Sequence, residues 1–98
     1  MIKELNDENL IIPLWQEAFG DSEEDISFFL NNCKNIKCLG YFDEKMLSSM
    51  LFLIDCKISG DEYKYIYAAC TYKNKRDRGD MSKLLDYCKS NFNKVCLI

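Results

Sequence analysis

The chain has 98 residues, 48% hydrophobic and 30% charged, with four glycines and one proline. This composition fits one globular domain with a small core, and it excludes a large multi-domain enzyme or a disordered tract. A formal charge of -3 disfavours a general nucleic-acid or anionic-membrane binder, and the lack of histidine excludes histidine triads, histidine metal ligands and imidazole pH switches.

Residues 2–5 are expected to form a very short strand. Asn6 or Asp7 caps a first helix, in which Leu10, Ile11, Leu14, Trp15, Ala18 and Phe19 recur at helical spacing. Pro13 lies inside this pattern and either kinks the helix or marks its first turn, and Gly20 ends it. A second helix starts at Asp21 or Ser22, since Asp21 with Glu24 and Ser22 with Asp25 both have capping-box spacing. Glu23, Glu24 and Asp25 suit its positive end, and Ile26, Phe29 and Leu30 form its apolar stripe.

Strand signals follow. Residues 36–42 are short and apolar, Asp43, Glu44 and Lys45 read as a turn, and residues 46–56 form a long apolar run. A second turn at residues 59–62 leads into residues 62–71. There Tyr63, Tyr65 and Tyr67 alternate with Lys64, Ile66 and Ala68, which predicts two opposite faces. Two short connections in succession predict an antiparallel meander. After a loop over residues 72–78, Gly79 opens a third helix with Met81, Leu84, Leu85 and Cys88 on one face, broken at residues 91–93. Residues 95–98 read as a strand parallel to residues 62–71, reached by a right-handed crossover. A buried parallel strand needs helices on both faces. None follows, so the fold is expected to be interrupted here.

Six cysteines invite a disulfide scaffold. Cys38, Cys56, Cys70, Cys88 and Cys96 instead fall in or beside apolar runs, where a free thiol packs as a small hydrophobe. Lys3, Glu4, Asp7 and Glu8 interrupt any secretory signal, so the expected location is the reducing cytoplasm. No stretch nears the roughly 18 apolar residues of a membrane span. Cys33 and Cys38 lack zinc-knuckle spacing and a second pair, so no metal is expected.

Charge is uneven along the chain: residues 1–30 carry eight acids and one base, residues 31–98 eight acids and twelve bases. Lys73, Lys75, Arg76 and Arg78 crowd into one loop. Residues 71–83 are therefore the leading functional candidate. A strand ends, a basic loop turns, and a helix start offers unpaired amides and a positive dipole to an anion. Gly79 permits close approach to the backbone, Ser82 adds a hydroxyl, and Arg76 and Arg78 add charge at the rim. A pyrophosphate suits several amides at once. The plainer alternative is a solvated basic loop whose helix start is satisfied by Asp77 or Asp80. The segment matches neither GxxxxGK[ST] nor GxGxxG.

The stretch 65–85, YIYAACTYKNKRDRGDMSKLL, resembles the acetyl-coenzyme A binding segment of the GCN5-related N-acetyltransferase family. Arg76–Asp77–Arg78–Gly79–Asp80–Met81 stands where that family has Arg or Gln, two residues, Gly, one residue, and Gly or Ala. Ala68 to Thr71 matches its run of small residues, and Leu84–Leu85 its leucine pair. Leu14–Trp15 with Phe19–Gly20–Asp21 is similar to the opening of a larger bacterial subgroup that carries further domains. The resemblance implies an α+β (mixed α/β) acyl-coenzyme A N-acyltransferase fold, a mixed sheet flanked by helices. It also implies acetyl-coenzyme A as co-substrate and a small-molecule or protein amine as acceptor. Backbone groups of Ala69, Cys70 and Thr71 would bond the pantetheine arm, helped by a bulge. Amides from Arg76 through Asp77, Arg78, Gly79 and Asp80 to Met81, with Ser82, would hold the pyrophosphate.

The sequence departs from the pattern at Met81 for a small residue, at Lys73 for a common proline, and in the two acids beside an anion site. The family core also continues for another helix and two strands, which commonly bring a tyrosine that protonates the leaving thiolate. Residues 1–98 are thus expected to be the N-terminal portion of such a domain, poorly active alone.

For catalysis the candidates are weak. Glu62 is either a base acting through water or a solvated turn acid, and Asp55 lines an acceptor groove or is a surface acid. Cys70 has no histidine to activate it as a nucleophile, and Trp15 is expected to anchor the first helix. Two rivals stand beside the transferase. One is a nucleotide- or coenzyme-A-binding module without chemistry. The other is an interaction protein, possible as a homodimer, that assembles through its C-terminal strand edge.

Overall fold

Ordering starts at the helix caps. The Asp7 carboxylate accepts the Asn9 N–H at 2.9 Å and starts helix α1 (Glu8–Phe19); Gly20, at φ +75, ends it. Pro13 is the sixth residue of α1, so it sits inside the helix and not in its first turn. Ser22, not Asp21, caps helix α2 (Glu23–Asn32), its hydroxyl accepting the Asp25 N–H at 3.1 Å. That choice leaves the Asp21 carboxylate available for another partner.

The computed structural model describes residues 1–92 and 94–97. Strands β1 (Ile2–Glu4), β2 (Ile36–Asp43), β3 (Met46–Ile58), β4 (Asp61–Thr71) and β5 (Val95–Leu97) form one sheet in that spatial order, and helix α3 (Asp80–Asn91) connects β4 to β5. The first four strands pair antiparallel; β5 runs parallel to β4, with Lys64 opposite Val95 and Ile66 opposite Leu97. The expected meander and parallel crossover are both present. Asn93 and Ile98, which the sequence reading gave to the end of the third helix and to the last strand, lie outside the described residues.

Alternation along β3 divides the core. Met50 and Phe52 face α1 and α2, packing with Leu14, Trp15 and Ile26. Leu51 and Leu53 face α3, packing with Ile66, Leu84 and Cys88. One layer of helix thus covers each face of the sheet, the arrangement a sheet with buried faces requires. All six cysteines are free thiols, with Cys38, Cys70 and Cys88 buried. No helix among the described residues is long and apolar enough to cross a membrane.

Candidate functional site

A bulge in β4 organises the site. Met50 pairs with Cys70 but Phe52 pairs with Tyr67, so Ala68 and Ala69 share the place opposite Leu51. Ala68 takes φ +54, an unusual value for a residue with a Cβ. The extra residue shifts the alternation by one. Ala68 was expected on the face of Lys64 and Ile66; it packs instead beside Tyr67, and Cys70 joins the same cluster. Pairing with β5 stops at Ile66, so from Tyr67 to Thr71 the outer edge of β4 has no strand partner among the described residues.

Beyond the strand, the chain turns through one 3-10 turn at Lys73–Lys75. The Tyr72 N–H donates to the Ser48 carbonyl at 2.9 Å, and the Lys73 N–H to Glu17 Oε2 at 3.0 Å. These tie the loop to β3 and α1. Asp77 (φ +65) and Gly79 (φ +80) then reverse the chain into α3. Gly79 caps the helix with no side-chain hydrogen bond, and its carbonyl accepts the Lys83 N–H at 3.0 Å. No acceptor among the described residues takes the N–H of Gly79, Asp80, Met81 or Ser82. These are the orphan donors that every helix start must leave to solvent or a ligand.

Asp77 and Asp80 were the sequence's alternative partners for these amides. The Asp80 side chain is turned inward at 4% exposure. Its Oδ2 accepts the Ser48 hydroxyl at 2.6 Å and Arg78 Nη2 at 2.8 Å. Ser49 bonds Thr71 Oγ1 at 2.8 Å beside it, so buried hydroxyls connect β3, the end of β4 and the start of α3. Burial pushes the Asp80 carboxyl up, but the Ser48 hydrogen bond, Arg78 and Lys83 together outweigh it and hold its pKa below the usual value. Arg78 also pairs with Asp43 at 3.0 Å, and the hydrogen bond to Asp80 is the main reason its pKa is raised.

A groove of about 520 Å³ runs over this surface, floored by residues 69–71 and bounded by 75–77, 79–82 and Phe19. It gathers Ala69, Cys70, Thr71, Arg76, Asp77, Gly79, Asp80, Met81 and Ser82. Arg78, expected at the rim, is not in its lining; its guanidinium serves as a tether between Asp43 and Asp80. Met81 also packs toward Leu84 and Leu51 on the α3 side of the sheet, which relieves the crowding its size threatens. Arg76 Nε reaches the Thr71 carbonyl at 3.4 Å. Burial drives the Cys70 thiol up to about 12, with Arg76 opposing and Glu17 adding to it, so it is neutral at physiological pH and no thiolate nucleophile.

A second groove, of about 400 Å³, adjoins the first and shares Phe19 and Ala69 with it. Trp15, Ile66, Tyr67 and Ala68 line it, with Asp21 as its charged group. Asp21 escaped the sequence reading as a site residue because it looked like a helix cap. Glu62 and Asp55 are not brought to either groove. Both line a cavity at the opposite end of β4, where Asp55 is ion-paired to its cross-strand neighbour Lys64. Among the described residues no three His, Cys, Asp or Glu side chains gather to hold a metal ion.

No protein-family model matches the chain, and no curated protein does. Solved structures do match. An aminoglycoside acetyltransferase from an uncultured soil metagenomic sample, solved with sisomicin, is 20% identical at a TM-score of 0.71; the match covers 100% of this chain and 76% of that one. A GNAT-family acetyltransferase from Staphylococcus aureus gives 15% identity and 0.77, covering 100% and 84%. The GCN5-related glucosamine N-acetyltransferase region of a fungal multi-domain GH3 β-N-acetylglucosaminidase gives 12% and 0.82, covering 99% of this chain and 13% of that one. With its mixed sheet, bulged fourth strand and helix-start turn, the chain has the fold of the GCN5-related N-acetyltransferases.

Proposed function

We propose that the larger groove binds acetyl-coenzyme A for transfer of the acetyl group to an amine. The observation that carries this is the row of unengaged N–H groups from Gly79 to Ser82 at the start of α3, in one groove with the end of a bulged strand. These four amides donate to the pyrophosphate, aided by the dipole of α3. The edge of β4 from Ala69 to Thr71 bonds the pantetheine arm, which needs a strand edge with no neighbour. When bound, acetyl-coenzyme A would supply a thioester that an unprotonated amine attacks directly: the C–N bond forms, the C–S bond breaks, coenzyme A leaves as its thiolate, and the proton lost from the nitrogen passes through solvent to that sulfur. A bulge amide of β4 polarises the carbonyl as charge develops on its oxygen. No side chain of the groove is asked to act as nucleophile, in keeping with the neutral Cys70 thiol.

We further propose that residues 1–98 are the N-terminal portion of such a domain. Two of the acetyltransferase matches cover 100% of this chain but only 76% and 84% of their own lengths. The six free thiols support a reducing compartment, which we take to be the cytoplasm.

Calorimetry tests the binding claim. Coenzyme A should bind at least tenfold tighter than pantetheine, which lacks the pyrophosphate; equal affinities would refute the amide cradle. Gly79→Val should abolish this advantage. A Cβ at Gly79 meets no protein atom within 4 Å, so the substitution acts through the φ of +80, costing about 1–2 kcal/mol, and through the space beside the amides.

A further inference from the structure

Among the described residues the buried polar side chains are Ser48, Ser49 and Asp80, and all three stand in one hydrogen-bond chain joined to Thr71 of the larger groove. Burying a hydroxyl or a carboxylate costs free energy unless it is bonded, so a polar chain inside a small core calls for a reason. A second bulge aims it. Where β2 pairs with β3, Tyr41 stands opposite Ser49 and Phe42 opposite Leu47, so Ser48 is the extra residue. Neighbouring side chains of a regular strand point to opposite faces, yet these two serine hydroxyls lie 3.3 Å apart. Ser48 Oγ donates to Asp80 Oδ2 at 2.6 Å, and Ser49 Oγ bonds Thr71 Oγ1 at 2.8 Å. Arg78, the other partner of Asp80 Oδ2, is half-exposed and so a looser hold. The Ser48 carbonyl accepts the Tyr72 N–H at 2.9 Å. Ser48 thus grips the loop over residues 72–80 at both ends, with its carbonyl at the strand and its hydroxyl at the helix.

We infer that Ser48, acting through Asp80, is a positioning residue for the anion site: it fixes the amide row of residues 79–82 relative to the strand edge of residues 69–71. The inference rests on the acetyl-coenzyme A reading and adds what holds the two halves of the groove at a set spacing. A ligand that bonds both halves gains from their being held in place beforehand; a ligand that bonds the strand edge alone does not. The charge of Asp80 by itself argues the other way, since a carboxylate beside a pyrophosphate opposes binding. Positioning and charge therefore give opposite signs for the removal of Asp80.

The test uses the whole chain, with coenzyme A and pantetheine as calorimetric probes and ¹⁵N relaxation measured without ligand. Ser48→Ala deletes one hydroxyl and no charge. It should weaken coenzyme A roughly fivefold and leave pantetheine unchanged. Asp80→Ala should also weaken coenzyme A, although it removes a like charge. Without ligand, both variants should lower the backbone order parameters of residues 79–82 from about 0.85 toward 0.6 and leave those of residues 84–88 unchanged. The inference is overturned if Ser48→Ala keeps the coenzyme A affinity, if Asp80→Ala tightens it, or if coenzyme A and pantetheine weaken equally, as a general loosening would cause. Should Asp80→Ala not fold, Ser48→Ala decides alone. The ligand-free relaxation separates the two proposals. Loss of order in the variants of a chain that binds coenzyme A no tighter than pantetheine refutes the cofactor reading alone; a coenzyme A preference that survives Ser48→Ala with order unchanged refutes this inference alone.

Discussion

Asp80 brings an acid to the first turn of a helix whose free amides face the groove, and its burial explains how the turn tolerates it. With Oδ2 engaged by Ser48 and Arg78, its charge is compensated inside the protein. The same contacts fix the geometry of the turn from Arg78 into α3. Asp80→Asn should therefore destabilise the chain at pH 7 by about 1–2 kcal/mol, below the cost of breaking a fully buried pair because Arg78 stays solvent-accessible. The sign with pH follows from the lowered pKa. The contribution is complete above the unfolded value of 3.8 and is lost as pH falls through the lower folded value. Urea melts across pH 2–7 should show an acid loss of stability that the variant lacks in part; identical slopes would contradict the role. None of this was legible locally. Ser48 is 32 positions away, and the sequence shows only two acids flanking a glycine.

At the scale of elements, periodicity and caps were readable and the bulge was not. The α3 face of Met81, Leu84, Leu85 and Cys88 follows from helical spacing alone, and its contacts agree. The meander follows from two turns, one of which places Ser59 and Gly60 at positive φ. No glycine marks Ala68, however. Its strained φ comes from β3, which aligns Met50 with Cys70 and Phe52 with Tyr67 and leaves one residue too many between them. Reading strict alternation across that point put Ala68 on the wrong face. Tight packing also hides at Gly40 in β2, where a Cβ would lie 3.0 Å from Leu47 Cδ1 and 3.1 Å from Phe42 Cε1. Gly40→Ala should cost about 1–3 kcal/mol in a denaturant melt through overpacking. An unchanged midpoint would mean that the Leu47 and Phe42 side chains yield freely.

For the molecule as a whole, one sheet separates two small cores, and buried thiols belong to both. Burial, with smaller contributions from neighbouring acidic groups, raises Cys38 to about 12, and burial chiefly raises Cys70 to about 12. Above their ordinary value of 9.0 the unfolded thiols lose protons while the folded ones keep them, so stability should fall as pH climbs from 9 toward 12. Cys38→Ser with Cys70→Ser should flatten that limb in melts at rising pH, and an unaltered slope would contradict it. The most direct test of the account is an amide-resolved NMR titration of the whole chain with coenzyme A. It predicts that the largest shifts fall on residues 69–71 and 79–82. Shifts confined to other residues, or none at millimolar coenzyme A, would contradict it.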